Sequence, residues 1–297
     1  MPAKLCLADS VNELPGPQSE TAFGCPRDFV GNRFIYVAIS PRARGLSLGV
    51  NLSPKKTCNF DCVYCEVNRE QPAPECEFDV AVMAAELEKT LLLIQSSGIR
   101  QINGYKGLGG ELLHLRHVAF SGDGEPTLCA KFAEAVQEVV HVRAMRLHPP
   151  FRLVLITNGT RLDQRHVLNG LQYFTRDDEI WIKLDAGTQE YMDRVNQSIV
   201  PLEKVLDNAC LIGRKRPIVI QSLFPLIGGW EPPEEEIDAY VQRLQELKRR
   251  GAMISLVQIY SATRPPAHPN CGHLPLQTLA KICRRIKTEV GLAAEVF

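Results

Sequence analysis

The chain has 297 residues, 45% hydrophobic and 23% charged, and its 34 Lys and Arg balance its 34 Asp and Glu for a net charge of +0. That composition supports a large buried core and excludes intrinsic disorder, while the balanced charge gives no overall field to draw in a phosphate backbone. No apolar run approaches the ~18 residues of a membrane span. Residues 1–18 interrupt any apolar stretch with Lys4, Asp9, Glu13 and prolines, so no signal peptide is read there and a cytoplasmic protein is expected.

In chain order, residues 1–40 show little periodicity and several turn formers, among them Pro15, Gly16, Pro17, Gly24 and Pro26, and read as an N-terminal extension. From residue 41 to 297 a single domain is expected. Strand-like runs fall at 46–52, 117–121, 152–157, 180–185, 218–223 and 253–260, each followed by a candidate helix. Four helical stripes stand out: Met83, Leu87, Leu91 and Ile94; Phe132, Val136 and Val139; Ile237, Tyr240, Val241, Leu244 and Leu247; and Leu276, Leu279, Cys283, Ile286 and Val290. The third stripe lies in a helix predicted over 234–250, with Glu234, Glu235 and Glu236 in its first turn, Lys248 to Arg250 in its last, and Gly251 as the stop. Six βα units imply an α/β fold with a parallel sheet, either open and doubly wound or a full or partial barrel. In each architecture the ligand lies at the carboxyl ends of the strands, so chemistry is sought just past each run.

The first of these strand ends holds Cys58, Cys62 and Cys65, spaced C-x₃-C-x₂-C. Ten cysteines are too few for a disulfide scaffold in a chain of this length, and three within eight residues point to metal or catalysis. A zinc knuckle wants a fourth ligand at short spacing, for which Cys76 is the nearby candidate. An iron–sulfur cube held by three thiolates leaves one iron free for a small molecule.

This triplet, with Tyr64 just before its last cysteine, resembles the signature of the radical S-adenosylmethionine (SAM) superfamily. Gly122-Asp123-Gly124-Glu125-Pro126 after the second run resembles that superfamily's Gly-Gly-Glu-Pro element, and Asn158-Gly159 after the third is similar to another common feature. Within the superfamily, residues 45–51, the Gly-Asp-Gly-Glu-Pro-Thr run and 183–186 look most like the branch of tRNA wyosine-base synthases and their bacterial relatives. The cysteines that those archaeal enzymes carry upstream of the triplet are replaced here by Cys6 and Cys25 alone.

The resemblance implies a partial (β/α)₆ TIM-like barrel and a [4Fe-4S] cluster on Cys58, Cys62 and Cys65. It implies reductive cleavage of SAM to a 5′-deoxyadenosyl radical that takes hydrogen from a substrate, a tRNA base being the first expectation. A low-potential donor such as flavodoxin or ferredoxin would supply the electron. Gly122, Asp123, Gly124 and Glu125 are expected at the methionyl amine of SAM, Tyr64 against its adenine, and Asn158, past the third run, as a further cofactor-binding residue. Lys183 and Asp185, two apart on an apolar strand, face one side together and are expected at the SAM carboxylate or ribose; Gln258 has the same parity on the last strand. The alternatives are an activase acting on a protein backbone and a zinc-stabilised module without catalysis. Cys129, Cys210 and Cys283 read as core thiols in helical segments, and Cys6, Cys25, Cys76 and Cys271 as loop cysteines, so one cluster is expected. Lys55 and Lys56 could meet an anionic substrate, and Arg42 to Arg44 and Arg214 to Arg216 are the basic stretches open to RNA.

Overall fold

The computed structural model describes residues 29–297 apart from 74, 265 and 267–269. Its elements run β1 (Ile35–Ser40), β2 (Gly45–Val50), α1 (Val80–Gln95), β3 (Leu115–Phe120), α2 (Phe132–Ala144), β4 (Arg152–Thr157), α3 (Arg165–Leu171), β5 (Glu179–Lys183), α4 (Gln189–Val195), α5 (Leu202–Gly213), β6 (Ile218–Leu223), β7 (Pro225–Ile227), α6 (Glu234–Arg249), β8 (Ile254–Tyr260), β9 (Cys271–His273), α7 (Leu276–Arg285) and β10 (Ala294–Val296). Eight strands form one sheet in the order β1-β2-β3-β4-β5-β6-β8-β10. All neighbours are parallel except β1, which runs antiparallel to β2. The sheet curls into a half-barrel with helices outside it. β7 and β9 pair as a separate ribbon.

The six predicted parallel strands are β2, β3, β4, β5, β6 and β8, displaced by two residues at most at their starts. Two edges were not foreseen. β1 lies within the stretch expected to be extension, and every residue from Ile35 to Ile39 is buried, Ile35, Val37 and Ile39 in the core under the helices and Tyr36 and Ala38 on the lumen side. β10 adds a short parallel strand beyond β8.

Strand parity divides the interior. Along β5, Ile180 and Ile182 turn outward into the main core under the helices, while Trp181 turns inward and packs with Ala119, Val154 and Val219 in a small second core inside the curl. Lys183 shares the parity of Trp181 and so faces the lumen. The helices form for local reasons: Asp79 caps α1 by accepting the Val82 amide at 3.0 Å, and α6 carries acids in its first turn and Lys248 and Arg249 in its last. The predicted stripes of α2 and α6 are buried throughout, whereas Ile94 of the α1 stripe is half-buried and Leu276 at the start of α7 is exposed.

Candidate active site

The segment from Asn51 to Cys65 leaves the carboxyl end of β2, and the neighbouring strand ends grip it. The Glu125 amide donates to the Thr57 carbonyl at 3.0 Å, and a Cβ at Gly124 would stand 2.0 Å from that same oxygen. Only glycine allows this approach. At Gly122 a Cβ would stand 2.4 Å from Asn51 Oδ1, which also accepts the Asp123 amide at 3.2 Å, while Asn51 Nδ2 donates to Asp123 Oδ2 at 2.6 Å. The glycines of the Gly-Asp-Gly run thus serve first to lock two loops of the chain together. From the other side, the amides of Asp61 and Val63 donate to the carbonyls of Asn196 and Val195 at the end of α4.

These contacts bring the expected residues to one place. Cys58, Cys62, Cys65, Tyr64, Gly122, Asp123, Gly124, Glu125, Asn158 and Lys183 all line a cavity of about 150 Å³. Asp185 and Gln258 do not line it. Asp185 lies beneath, accepting from the Tyr64 hydroxyl, from Asn196 Nδ2 at 2.8 Å and from the Leu223 amide at 2.8 Å. Gln258 is buried behind Gln221, whose Nε2 donates to Gln258 Oε1 at 3.1 Å and which itself lines the lumen.

Glu125 is a joint between strand ends. Its Oε1 accepts from the Thr127 amide and from the hydroxyls of Thr127 and Thr157, both at 2.6 Å, and its Oε2 accepts the Asn158 amide at 2.8 Å. Burial raises its pKa, and these four hydrogen bonds oppose the rise. Asn158 continues the link, donating to Asn59 Oδ1 at 2.8 Å, so β4 is tied to the cysteine loop.

Burial holds the Cys62 and Cys58 thiols in their protonated form. Burial pushes the Cys62 thiol up to about 12 against the pull of the Lys183 ammonium, and burial raises Cys58 as well. Thiols this desolvated ionise when a metal joins them. Among the described residues no three His, Cys, Asp or Glu side chains group as ligands of a single ion would. The three thiols instead face one cavity from separate positions, which suits a cluster whose irons each take one thiolate. Cys76 lines a different cavity, beside Cys129, and supplies no fourth zinc ligand there. Lys183 lies between the thiol-lined cavity and the lumen, with Nζ 3.2 Å from the Tyr64 hydroxyl and 4.7 Å from its ring centre. Burial would lower its pKa, but Tyr260, Asp185 and the thiols outweigh this, and it stays an ammonium ion suited to a carboxylate.

Two residues here carried no sequence signal. Asn196 donates from one amide to Cys62 Sγ at 3.3 Å and to Asp185. Arg69 Nη1 lies 3.6 Å from Cys65 Sγ and 3.0 Å from Asp61 Oδ1. Other expectations resolve into structural contacts. Lys55 pairs with Glu77, and Lys56 donates to the carbonyls of Asn68 and Gln71. Arg214 donates to the Arg250 carbonyl, and Arg216 to those of Phe174, Thr175 and Asp178. Cys210 and Cys283 are buried in helices as expected, whereas Cys129 follows a short 3₁₀ turn and is half-buried. Cys6 and Cys25 lie outside the described residues.

A curled parallel sheet whose strand-end loops collect three thiols, a lysine and a glycine-rich turn has the architecture of an α/β-barrel enzyme. The Radical SAM superfamily matches residues 52–238, and the chain belongs to it. A [4Fe-4S] cluster and SAM are therefore its cofactors. The chain is 26% identical over 168 residues to a UPF0026 protein of Helicobacter pylori strain J99, covering 55% of this chain and 46% of that protein, so it spans about half the length of this curated relative. It is 22% identical to a UPF0026 protein of Methanocaldococcus jannaschii, covering 85% of this chain and 71% of the other. Among solved structures it is similar in fold to TYW1 with a lysine-pyruvate adduct bound, with a TM-score of 0.54 at 17% identity over 88% of this chain and 85% of that one. No helix among the described residues is long and apolar enough to cross a membrane.

Proposed function

We propose that this chain reductively cleaves SAM and uses the resulting 5′-deoxyadenosyl radical to take hydrogen from a substrate in the barrel lumen. The observation that carries the reading is the convergence of the three thiols, Lys183 and the Gly122–Glu125 turn on one cavity. That cavity shares Tyr64, Cys65, Ser121, Gly122, Ile156 and Lys183 with a lumen cavity of about 230 Å³, so a group bound at the thiols opens directly onto the lumen. When bound, the cluster supplies the electron that breaks the carbon–sulfur bond of SAM.

The chain's own residues bind and orient. Cys58, Cys62 and Cys65 hold the cluster, and the Lys183 ammonium meets the SAM carboxylate. The backbone and carboxylate of Gly122 to Asp123 face the methionyl amine, and Tyr64 stands at the boundary with the lumen. Glu125, Asn158 and Asp185 act through their neighbours, fixing loops and strand ends. A protein of the cytoplasm fits these reduced thiols, with flavodoxin or ferredoxin as donor. For the substrate, a tRNA base of the wyosine type is the reading, and it rests on the resemblance of residues 45–51, the Gly-Asp-Gly-Glu-Pro-Thr run and residues 183–186 to that branch.

The test is anaerobic reconstitution followed by incubation with SAM and dithionite. Formation of 5′-deoxyadenosine that is lost with any of the three cysteines supports the reading, and iron-loaded protein that leaves SAM intact overturns it. Deuterium transfer from labelled candidates into 5′-deoxyadenosine then identifies the hydrogen donor. A gel shift with bulk tRNA checks the nucleic-acid substrate.

A further inference from the structure

A second, larger cavity of about 1030 Å³ opens at the amino ends of β2 to β5, and it shares Arg42, His117 and Trp181 with the lumen cavity. These three residues mark the junction between an outer vestibule and the inner chamber. Arg42 comes from the tight turn between β1 and β2, where the Arg44 amide donates to the Pro41 carbonyl at 3.1 Å and the Ala43 amide to Ser40 Oγ at 3.2 Å. Its guanidinium crosses to β8 and lies 4.4 Å over the Tyr260 ring, while Arg44 pairs with Glu295 of β10 at 2.8 Å. One turn therefore bridges the two edges of the half-barrel and holds Arg42 in place.

The vestibule is lined by five arginines, and four of them are already paired. Arg44 meets Glu295, Arg116 meets Glu111 at 3.5 Å, Arg143 meets Asp178 at 2.6 Å, and Arg152 meets Glu179 at 3.3 Å. Among the described residues no carboxylate pairs with Arg42, and its buried Nε has no hydrogen-bond partner. The guanidinium charge, stacked on Tyr260 and matched by no described carboxylate, lines both cavities and is left to receive an anion from either one. Next to it, His117 packs edge-on to Trp181 with ring centres 5.5 Å apart and is held neutral by burial and by the charges of Arg42 and Arg152. A surface that tracks a polyanion carries a row of free cations. A single free guanidinium selects one anionic group.

We propose that Arg42 anchors one carboxylate or phosphate group of the substrate at the junction, directing the rest of the molecule along the lumen towards Cys65 and Lys183. This rests on reading the lumen as the substrate chamber. The target nucleotide of an RNA would present its own phosphate at this one cation, and a small metabolite a carboxylate.

Trp181 reports on the site. The chain has two tryptophans, and Trp230 is 79% exposed, so Trp230→Phe leaves Trp181 as the only indole. The full chain carrying that change is titrated anaerobically with pyruvate, inorganic phosphate and adenosine 5′-monophosphate while Trp181 fluorescence is followed. The expected result is a saturable change with at least one anion, weakened about tenfold or more by Arg42→Gln, the loss of one charged hydrogen bond. Arg44→Gln should leave it unchanged, and Arg42→Lys, which keeps the charge, should bind more tightly than Arg42→Gln. Response to pyruvate alone assigns a carboxylate, and response to either phosphate compound assigns a phosphate. No saturable change with any of the three, or equal titrations in wild type and both Arg42 variants, overturns the proposal. SAM cleavage is measured on the same preparation: cleavage without anion binding discards the anchor alone, and anion binding without cleavage discards the radical chemistry alone.

Discussion

Asn196 donates its side-chain amide to the Sγ of Cys62 at 3.3 Å, across 134 positions of sequence. The same amide reaches Asp185, whose other oxygen accepts the Leu223 amide of β6, so one residue couples the central thiol to the ends of β5 and β6. Asn196→Ala is expected to cost about 1.5 to 3 kcal/mol, because it leaves the buried Asp185 carboxylate short of a donor. The urea midpoint of the apoprotein measures this, and reconstituted iron should become more labile to chelators than in wild type. A variant as stable as wild type, with equal iron retention, would show that the contact is incidental.

Lys183 and Glu125 line one cavity but separate under mutation. Lys183→Ala removes a cation that faces the site, so SAM affinity should fall about tenfold to a hundredfold while iron content and the urea midpoint hold. Glu125→Ala breaks four buried hydrogen bonds and should lower stability by about 1.5 to 3 kcal/mol or more, with SAM binding weakened as a consequence. Calorimetric SAM titrations paired with denaturation curves distinguish the two. Equal stability in both variants would remove the positioning role assigned to Glu125.

How much of this was legible in the sequence follows from which interactions are local. The cysteine triplet and the Gly-Asp-Gly-Glu-Pro run are contiguous motifs, and strand-end placement put them at one end of the sheet. The inward placement of Lys183 was legible from parity on a strand with few polar residues. The protein contacts of these residues were not legible: Gly124 makes room for Thr57 of the chain itself, and Asp185 satisfies protein donors. Asn196 and Arg69 were missed because their roles depend on where α4 and the cysteine loop pack, which no short pattern encodes. β1 escaped because an antiparallel edge strand breaks the βα rhythm, and three-residue β10 is too short to show periodicity.

Single Ala substitutions of Cys58, Cys62 and Cys65 should each abolish the visible absorbance of the reconstituted protein. Those of Cys76, Cys129, Cys210 and Cys283 should leave it in place, since none of these four lines the cluster cavity. With one cluster, iron should total about four per chain and be unaffected by Cys25→Ala. About eight irons, falling to four in that variant, would establish a second cluster and refute the single-cluster count.

His117 gives the chain an acid sensitivity with a defined sign. Burial, reinforced by Arg42 and Arg152, lowers its pKa from 6.5 to about 3, so the folded protein keeps the imidazole neutral where the unfolded chain has protonated it. The unfolded state therefore binds the extra proton below pH 6.5, and stability contributed above that pH is lost progressively as pH falls towards 3. Each unit in this window is worth about 1.4 kcal/mol, so between pH 7 and pH 5 the wild-type apoprotein should lose about 2 kcal/mol more than His117→Gln. Urea denaturation at the two pH values provides the comparison, and the difference between the two proteins cancels the titration of the remaining histidines. Adding Arg42→Gln removes one of the two charges that oppose protonation, and the excess loss should shrink. Identical acid sensitivity in wild type and His117→Gln would mean that the imidazole protonates freely in the folded state, which a buried ring beside an unpaired guanidinium does not allow.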